Sequence, residues 1–236
     1  MSASGTFDAP GRISSGVHGL DERIGGGFLR NRVTLVCGDA GAGKTAFGLH
    51  FLMEGVRRGE SALLIGADLT RPPINHRLTI ALAASPLFAE LRARHSDDAR
   101  QLSSDLTREV RHLEARRVVI DDFPALVGRN VADDRTEDFV RSLFATFDDN
   151  LGCTMLLTAR TTNGVQTSPA GSAAERLSGG VVEVRGTAAD RWLQVRKMRG
   201  AAANLDPYFV GGLSAPRNLS ASEPNPSACA TFSRAV

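Results

Sequence analysis

Lysine is nearly absent. Of 28 basic side chains only two are lysines, Lys44 and Lys197, and arginine supplies the rest. An ammonium is a compact point charge, whereas a guanidinium is a wide planar fork. A lysine kept in such a chain marks a place that needs the compact cation, so both positions are candidates for anion contact. Cysteine is also scarce. Cys37, Cys153 and Cys229 have neither disulfide nor metal-ligand spacing, which excludes a cystine framework and a thiolate metal site. Two of them sit in apolar runs and read as small buried hydrophobes in a reducing compartment. No large excess of one charge sign exists: the net charge is +2 and the charges are scattered. That leaves no electrostatic footprint for nucleic acid or an anionic membrane. No apolar run is long enough to span a bilayer and the first residues contain no signal-type apolar region. The expectation is a soluble, cytoplasmic protein. At 42% hydrophobic content, 236 residues suffice for a sizeable core, which excludes global disorder.

One stretch organises the rest. Gly38-Asp39-Ala40-Gly41-Ala42-Gly43-Lys44-Thr45 fits the phosphate-loop pattern G-x-x-x-x-G-K-[ST] at every fixed position. The apolar run Val33–Cys37 leads in as a buried strand. A helical pattern from Ala46 to Arg58 leads out, with Phe47, Phe51 and Leu52 spaced for one face and Gly59 ending it. Glycines let the backbone aim successive N–H groups at an anion, and the helix N-terminus adds its positive end. In that pattern Gly38 through Ala46 form the phosphate cradle, Lys44 reaches the β- and γ-phosphates, and the Thr45 hydroxyl ligates Mg²⁺.

In chain order, residues 1–11 read as a loose arm, 12–213 as one α/β domain and 214–236 as a Ser/Pro/Ala-rich tail without core-forming content. Leu20 and Ile24 suggest a short helix before the glycine turn 25–27. Ala62–Gly66 reads as a second strand, followed by a helix from Pro72 carrying Ile74, Leu78, Ala81 and Leu82. Leu87–Arg94 reads as a helical turn or two, and a helix over about Asp98–Arg116 carries Leu102, Leu106, Val110 and Leu113. Arg117–Asp121 and Thr154–Thr158 read as strands three and four, with a helix bearing Phe139, Val140, Leu143, Phe144 and Phe147 between them. A loop from Arg160 to about Ala173 and a short helix at Ala174–Leu177 follow. Val181–Val184 and Trp192–Arg196 then read as an antiparallel pair, to which Tyr208–Val210 adds a strand. Alternating strand and helix imply a mainly parallel sheet flanked by helices, with ligands at the strand C-terminal ends. The phosphate loop, Asp68, Asp121 and Thr158 all fall at such ends.

Asp121 ends an apolar run downstream of the phosphate loop, the position of a carboxylate that holds Mg²⁺ beside the loop hydroxyl. Asp122 has turn capping as its alternative role. Asp68 either orients the attacking water or caps the helix that begins near Pro72.

The order of these pieces resembles the KaiC-like branch of the RecA-type ATPases, across roughly Gly11 to Leu213. The resemblance rests on Ser15-Gly16-Val17-His18-Gly19-Leu20-Asp21, Gly25-Gly26-Gly27, the phosphate loop, Val119-Ile120-Asp121 and Lys197-Met198-Arg199-Gly200. It implies a RecA-like P-loop fold, ATP and Mg²⁺ as ligands, and a homo-oligomeric ring, commonly of six, with ATP between neighbours. It also implies that Lys197 and Arg199 act on the neighbour's γ-phosphate, that Asp68 positions water, and that the protein works in cytoplasmic regulation with a protein partner. Two positions depart from the family. Its paired glutamates are Asp68-Leu69 here, and its Thr-Glu-Arg is Thr158-Ala159-Arg160. Slow hydrolysis is one expectation from these departures; a nucleotide-gated scaffold with negligible turnover is the alternative. A DNA-binding role is disfavoured, because the segment from Arg160 to Ala173 holds one basic residue and no aromatic.

Overall fold

The computed structural model describes residues 11–66, 78–82, 99–127, 133–187, 190–201 and 206–210. Residues 1–10 of the expected arm, Asp68 and Leu69, the start of the helix from Pro72, the segment 87–94 and the tail lie outside the described residues.

The N-terminal half contains β1 (Arg12–Ile13), α1 (Leu20–Arg23), β2 (Phe28–Leu29), β3 (Val33–Gly38), α2 (Lys44–Arg57), β4 (Ser61–Gly66), β5 (Leu78–Leu82) and α3 (Ala99–His112). The rest comprises β6 (Ala115–Asp121), α4 (Phe123–Val127), α5 (Asp133–Asn150), β7 (Thr154–Thr162), β8 (Val165–Gln166), α6 (Pro169–Leu177), β9 (Gly180–Gly186), β10 (Arg191–Met198) and β11 (Tyr208–Phe209).

The central apolar runs sort by parity, as strands buried on both faces must. Val36, Leu64, Val119, Leu156 and Val182 point to one side, where Phe47, Phe51 and Leu52 of α2 cover them together with Phe28, Leu20 and Ile24. Leu35, Leu63, Ile65, Val118, Ile120, Met155 and Leu157 point to the other, under Leu102 and Leu106 of α3, Val140, Leu143 and Phe147 of α5, and Ala173 of α6. The result is one sheet between two helical layers. Its order is β11-β10-β9-β3-β7-β6-β4-β5, with β8 attached to β7. β9, β3, β7, β6, β4 and β5 run parallel, and β10 and β11 are antiparallel additions at the β9 end. The mainly parallel architecture with a late antiparallel edge is thus observed. Strand β3 has β9 on one side and β7 on the other, and its C-terminal end carries the Gly38–Thr45 loop.

Four local expectations are corrected. Leu78–Leu82 is an edge strand parallel to β4 and not part of a helix. Leu78 and Leu82 fit a helical period, but the contiguous run Leu-Thr-Ile-Ala-Leu fits a strand equally, and β-branched Thr79 and Ile80 favour it. Helix α3 stops at His112, because Glu114 adopts φ 49° and turns the chain into β6 two residues earlier than expected. The segment from Arg160 is not a loop. β7 continues to Thr162 and folds back on β8 through Asn163-Gly164, both at positive φ (52° and 78°), the backbone that a two-residue hairpin of this twist requires. Helix α6 begins at Pro169, five residues before the expected start, with the Ser168 hydroxyl accepting from the Gly171 N–H at 3.1 Å.

Candidate functional site

The loop between β3 and α2 is built by its glycines. Gly41 and Gly43 hold φ +76° and +106°, and Gly43 is the residue from which α2 departs. A Cβ at Gly43 would also stand 2.6 Å from Nε of Arg191 and 2.7 Å from its Cζ. Arg191, buried on β10, therefore packs its guanidinium flat against the loop. Strain at positive φ and this contact act together, so Gly43→Ala is expected to weaken nucleotide binding by at least about tenfold. A calorimetric titration of the variant checks this.

The Lys44 ammonium donates to the carbonyls of Gly38 and Asp39, both at 2.9 Å, and so arches over the loop. Burial lowers its pKa; the Asp121 carboxylate opposes that shift. Thr45 lies in the first turn of α2, and its hydroxyl donates to Oδ2 of Asp121 at 2.5 Å. The hydroxyl of Thr158, on the adjacent strand, donates to the other oxygen of the same carboxylate. Asp121 stands at the end of β6, so three separate segments converge on one carboxylate. The backbone N–H of Ala125 donates to Asp122, which is the turn-capping role; burial is the main cause of the raised Asp122 pKa. On the other flank, Thr161 of β7 donates to Asp39 at 2.9 Å, fixing the loop to the hairpin strand.

Hard oxygen donors side by side suit Mg²⁺, which takes one or two protein oxygens and completes its shell with waters and substrate phosphates. Thr45 and Asp121 meet that description. The Cys37 and Cys153 thiols are buried and pushed up to about 12, which fits inert packing.

The structure brings Gly38 to Ala46 and Asp121 together, and leaves Lys197 and Arg199 apart from them. Lys197 lies opposite Val181 of β9, and Val181 lies opposite Leu35 of β3. Gly38 is three residues further along, about 10 Å at strand rise. Arg199 is lower still: its N–H bonds the carbonyl of Gly179, whose own N–H bonds Val33. A register shift between Val195 and Lys197 places Arg196 and Lys197 on the same face of β10. Arg196 bonds Glu183, Glu175 and the carbonyl of Gly164. The Lys197 ammonium donates to the carbonyls of Arg176 (2.7 Å) and Glu175 (3.3 Å) in the last turn of α6, where the helix dipole favours a cation. Arg199 follows the strand rather than lying on it. Asp68 is outside the described residues.

Sequence reasoning did not assign roles to Thr158, Thr161 or Arg191. Thr158 had a usable signal, since it ends an apolar run as Asp121 does. Arg191 had none, because nothing in a strand pattern marks an arginine that turns inward.

The family model described as "ATPase: KaiC" matches residues 13–80 and 66–210. The circadian clock oscillator protein KaiC of Picosynechococcus is 45% identical over 64 residues, which are 27% of this chain and 12% of that protein. A UPF0273 protein of Thermotoga maritima is 26% identical over 171 residues, 63% of this chain and 69% of that one. The crystal structure of the KaiC-like protein PH0186 from Pyrococcus horikoshii superposes with a TM-score of 0.63 at 21% identity, covering 84% of this chain and 93% of the other. This structural likeness speaks to the fold. The chain spans about an eighth of the clock proteins that it matches. Among the described residues no helix is long and apolar enough to cross a membrane. With a phosphate loop at the end of a parallel strand and a family match over most of its length, the chain belongs to the KaiC family of RecA-type ATPases.

Proposed function

We propose that the protein binds Mg²⁺-ATP at the Gly38–Thr45 loop and hydrolyses it slowly to ADP and phosphate, as a cytoplasmic homo-oligomer acting in regulation. The observation that carries this is the Thr45–Asp121 contact beside the loop lysine. Gly41, Gly43 and the α2 N-terminus bind the phosphates, and Lys44 counters charge on the β- and γ-positions. Thr45 and Asp121 hold Mg²⁺, which when bound neutralises charge developing between the β- and γ-oxygens. Asp68 orients the attacking water. Lys197 and Arg199 serve the γ-phosphate of a neighbouring subunit in a ring, as cations that stabilise transition-state charge. The separation of these two from the loop of their own chain supports action in trans. Nucleic acid is no part of this reading.

The test is a titration with ATP, with and without Mg²⁺. The expected result is one nucleotide per chain, with affinity raised by Mg²⁺; Asp121→Asn removes most of that Mg²⁺ effect, about tenfold or more for a lost charged ligand. Equal affinity with and without Mg²⁺ in the native protein would contradict the site.

A second reading is a nucleotide-gated scaffold with negligible turnover. The fully buried Ala159 favours it, because a methyl group packs in the core where the family motif has a carboxylate. ATP-dependent assembly without phosphate release distinguishes it.

A further inference from the structure

Arg12 lies on the two-residue strand β1 and is nearly inaccessible, at 6% exposure. Its guanidinium bridges three backbone carbonyls. Nη1 donates to Gly27 at 2.7 Å, and Nη2 donates to Gly200 at 2.8 Å and Arg199 at 3.4 Å. Two motifs far apart in sequence, the triple glycine and Lys197-Met198-Arg199-Gly200, thus meet on one buried side chain. The turn is held from other sides as well. The Arg199 N–H bonds the Gly179 carbonyl at 2.9 Å, and the Met198 side chain is buried. Gly200 stands at φ +68°, where a side chain would be strained, and that lets the chain turn directly after Arg199.

The backbone at Arg199 is therefore fixed while its side chain is exposed. Arg199 has no hydrogen bond or ion pair from its side chain to any described residue. Lys197 stands close enough for the two cations to repel, which, after burial, lowers the Lys197 pKa. Two like charges crowded at one end of a strand, one of them on an immobilised base, form an arrangement that an arriving anion relieves. A flexible base would have to be ordered each time Arg199 met a phosphate; a clamped one has already met that cost.

We propose that Arg12 is a positioning residue for Arg199: its fork fixes the turn that presents Arg199 to a neighbour's γ-phosphate. This rests on the trans reading of Arg199 given above. A lysine at this position keeps the charge but not the planar fork that spans several carbonyls.

The test compares equilibrium affinities for a non-hydrolysable ATP analogue and for ADP, with Mg²⁺, at concentrations where the protein is assembled. No turnover is required. Arg199→Ala is expected to cut the preference for the triphosphate by about tenfold, as the loss of one charge-assisted contact does. Arg12→Lys removes the fork that holds the turn, and Gly200→Ala strains the turn's own backbone at φ +68°. Each is expected to cut the same preference by at least about threefold, with ADP affinity unchanged. A merely structural Arg12 would weaken both nucleotides in parallel, or neither, and that result overturns the proposal while Arg199→Ala still shows its loss. If Arg199→Ala leaves the preference intact, the trans reading fails and the role of Arg12 fails with it.

Discussion

Lys44→Ala is expected to weaken ATP binding by at least about 100-fold, with the fold intact. Truncating one partner of a close charged contact in a desolvated site costs about 2–5 kcal/mol, and each ~1.4 kcal/mol is tenfold in affinity. Two features of this site keep the effect above the bottom of that range. Lys44 is held over the loop by the Gly38 and Asp39 carbonyls, so its charge is preorganised and not recruited on binding. The carboxylates of Asp121, Asp122 and Asp39 all lie within electrostatic range of it. Without the ammonium, Arg160 is the cation left within range to counter their repulsion of a triphosphate. Lys44→Arg is expected to fail as well, because a guanidinium does not fit a cradle shaped for a point charge. Titration with a fluorescent ATP analogue reads the affinity, and a denaturation curve within about 1 kcal/mol of the native protein shows that the loss is local. Unchanged affinity would remove the phosphate loop from the account.

The largest stability effect is expected at Arg117. This side chain is fully buried at the start of β6. Nε donates to Glu60 at 2.6 Å, and Nη1 donates to the carbonyls of Ser14 (2.7 Å) and Phe51 (3.0 Å). The guanidinium also lies 4.7 Å from the centroid of the Phe51 ring. One residue thereby ties the segment after β1, helix α2 and the approach to β4 onto the sheet. Room for it exists because residue 55 is glycine; a Cβ there would stand 2.4 Å from Cδ of Arg117. Burial lowers the Arg117 pKa, and Glu60 counters that. Arg117→Ala leaves the Glu60 carboxylate and the Ser14 carbonyl without their donors and opens a cavity, so it is expected to cost about 3–5 kcal/mol. For a chain of this size that is a fall in Tm on the order of 10 °C. Arg117→Met fills the cavity and is expected to cost less, since apolar replacement of buried ionic groups is tolerated better than truncation. Chemical denaturation of both variants checks the order. Equal stability of Arg117→Ala and the native protein would mean that these bonds contribute nothing net.

Much of the fold was legible in the sequence, for physical reasons visible in particular residues. The runs around Val36, Leu64, Val119 and Leu156 are short and almost wholly apolar with no polar face, as strands buried on both faces require. The phosphate loop was legible because its glycines, its lysine and its flanking strand and helix constrain one another. Other features failed to register because two signals competed. Leu78 and Leu82 satisfy a helical period, but sheet pairing with β4 decided the matter. Asn163-Gly164 is a strong hairpin signal set in a polar, Thr-rich stretch that also fits a loop, and the same stretch hides the start of α6 at Ser168-Pro169. What could not be read at all were the inward arginines. Arg12, Arg117 and Arg191 look like any of the other basic residues in the chain. Their roles arise only when distant backbone carbonyls, a carboxylate or a glycine without a Cβ are brought to them by the tertiary structure.

The most direct test of a nucleotide site completed by a second subunit is phosphate release per subunit as a function of protein concentration, at saturating ATP and Mg²⁺. The account predicts a specific rate that rises with concentration and then levels off, and a dilute sample that binds ATP but turns it over more slowly per chain. A measurable specific rate that stays the same from the most dilute sample to the most concentrated would contradict it, because every group needed for turnover would then come from a single chain.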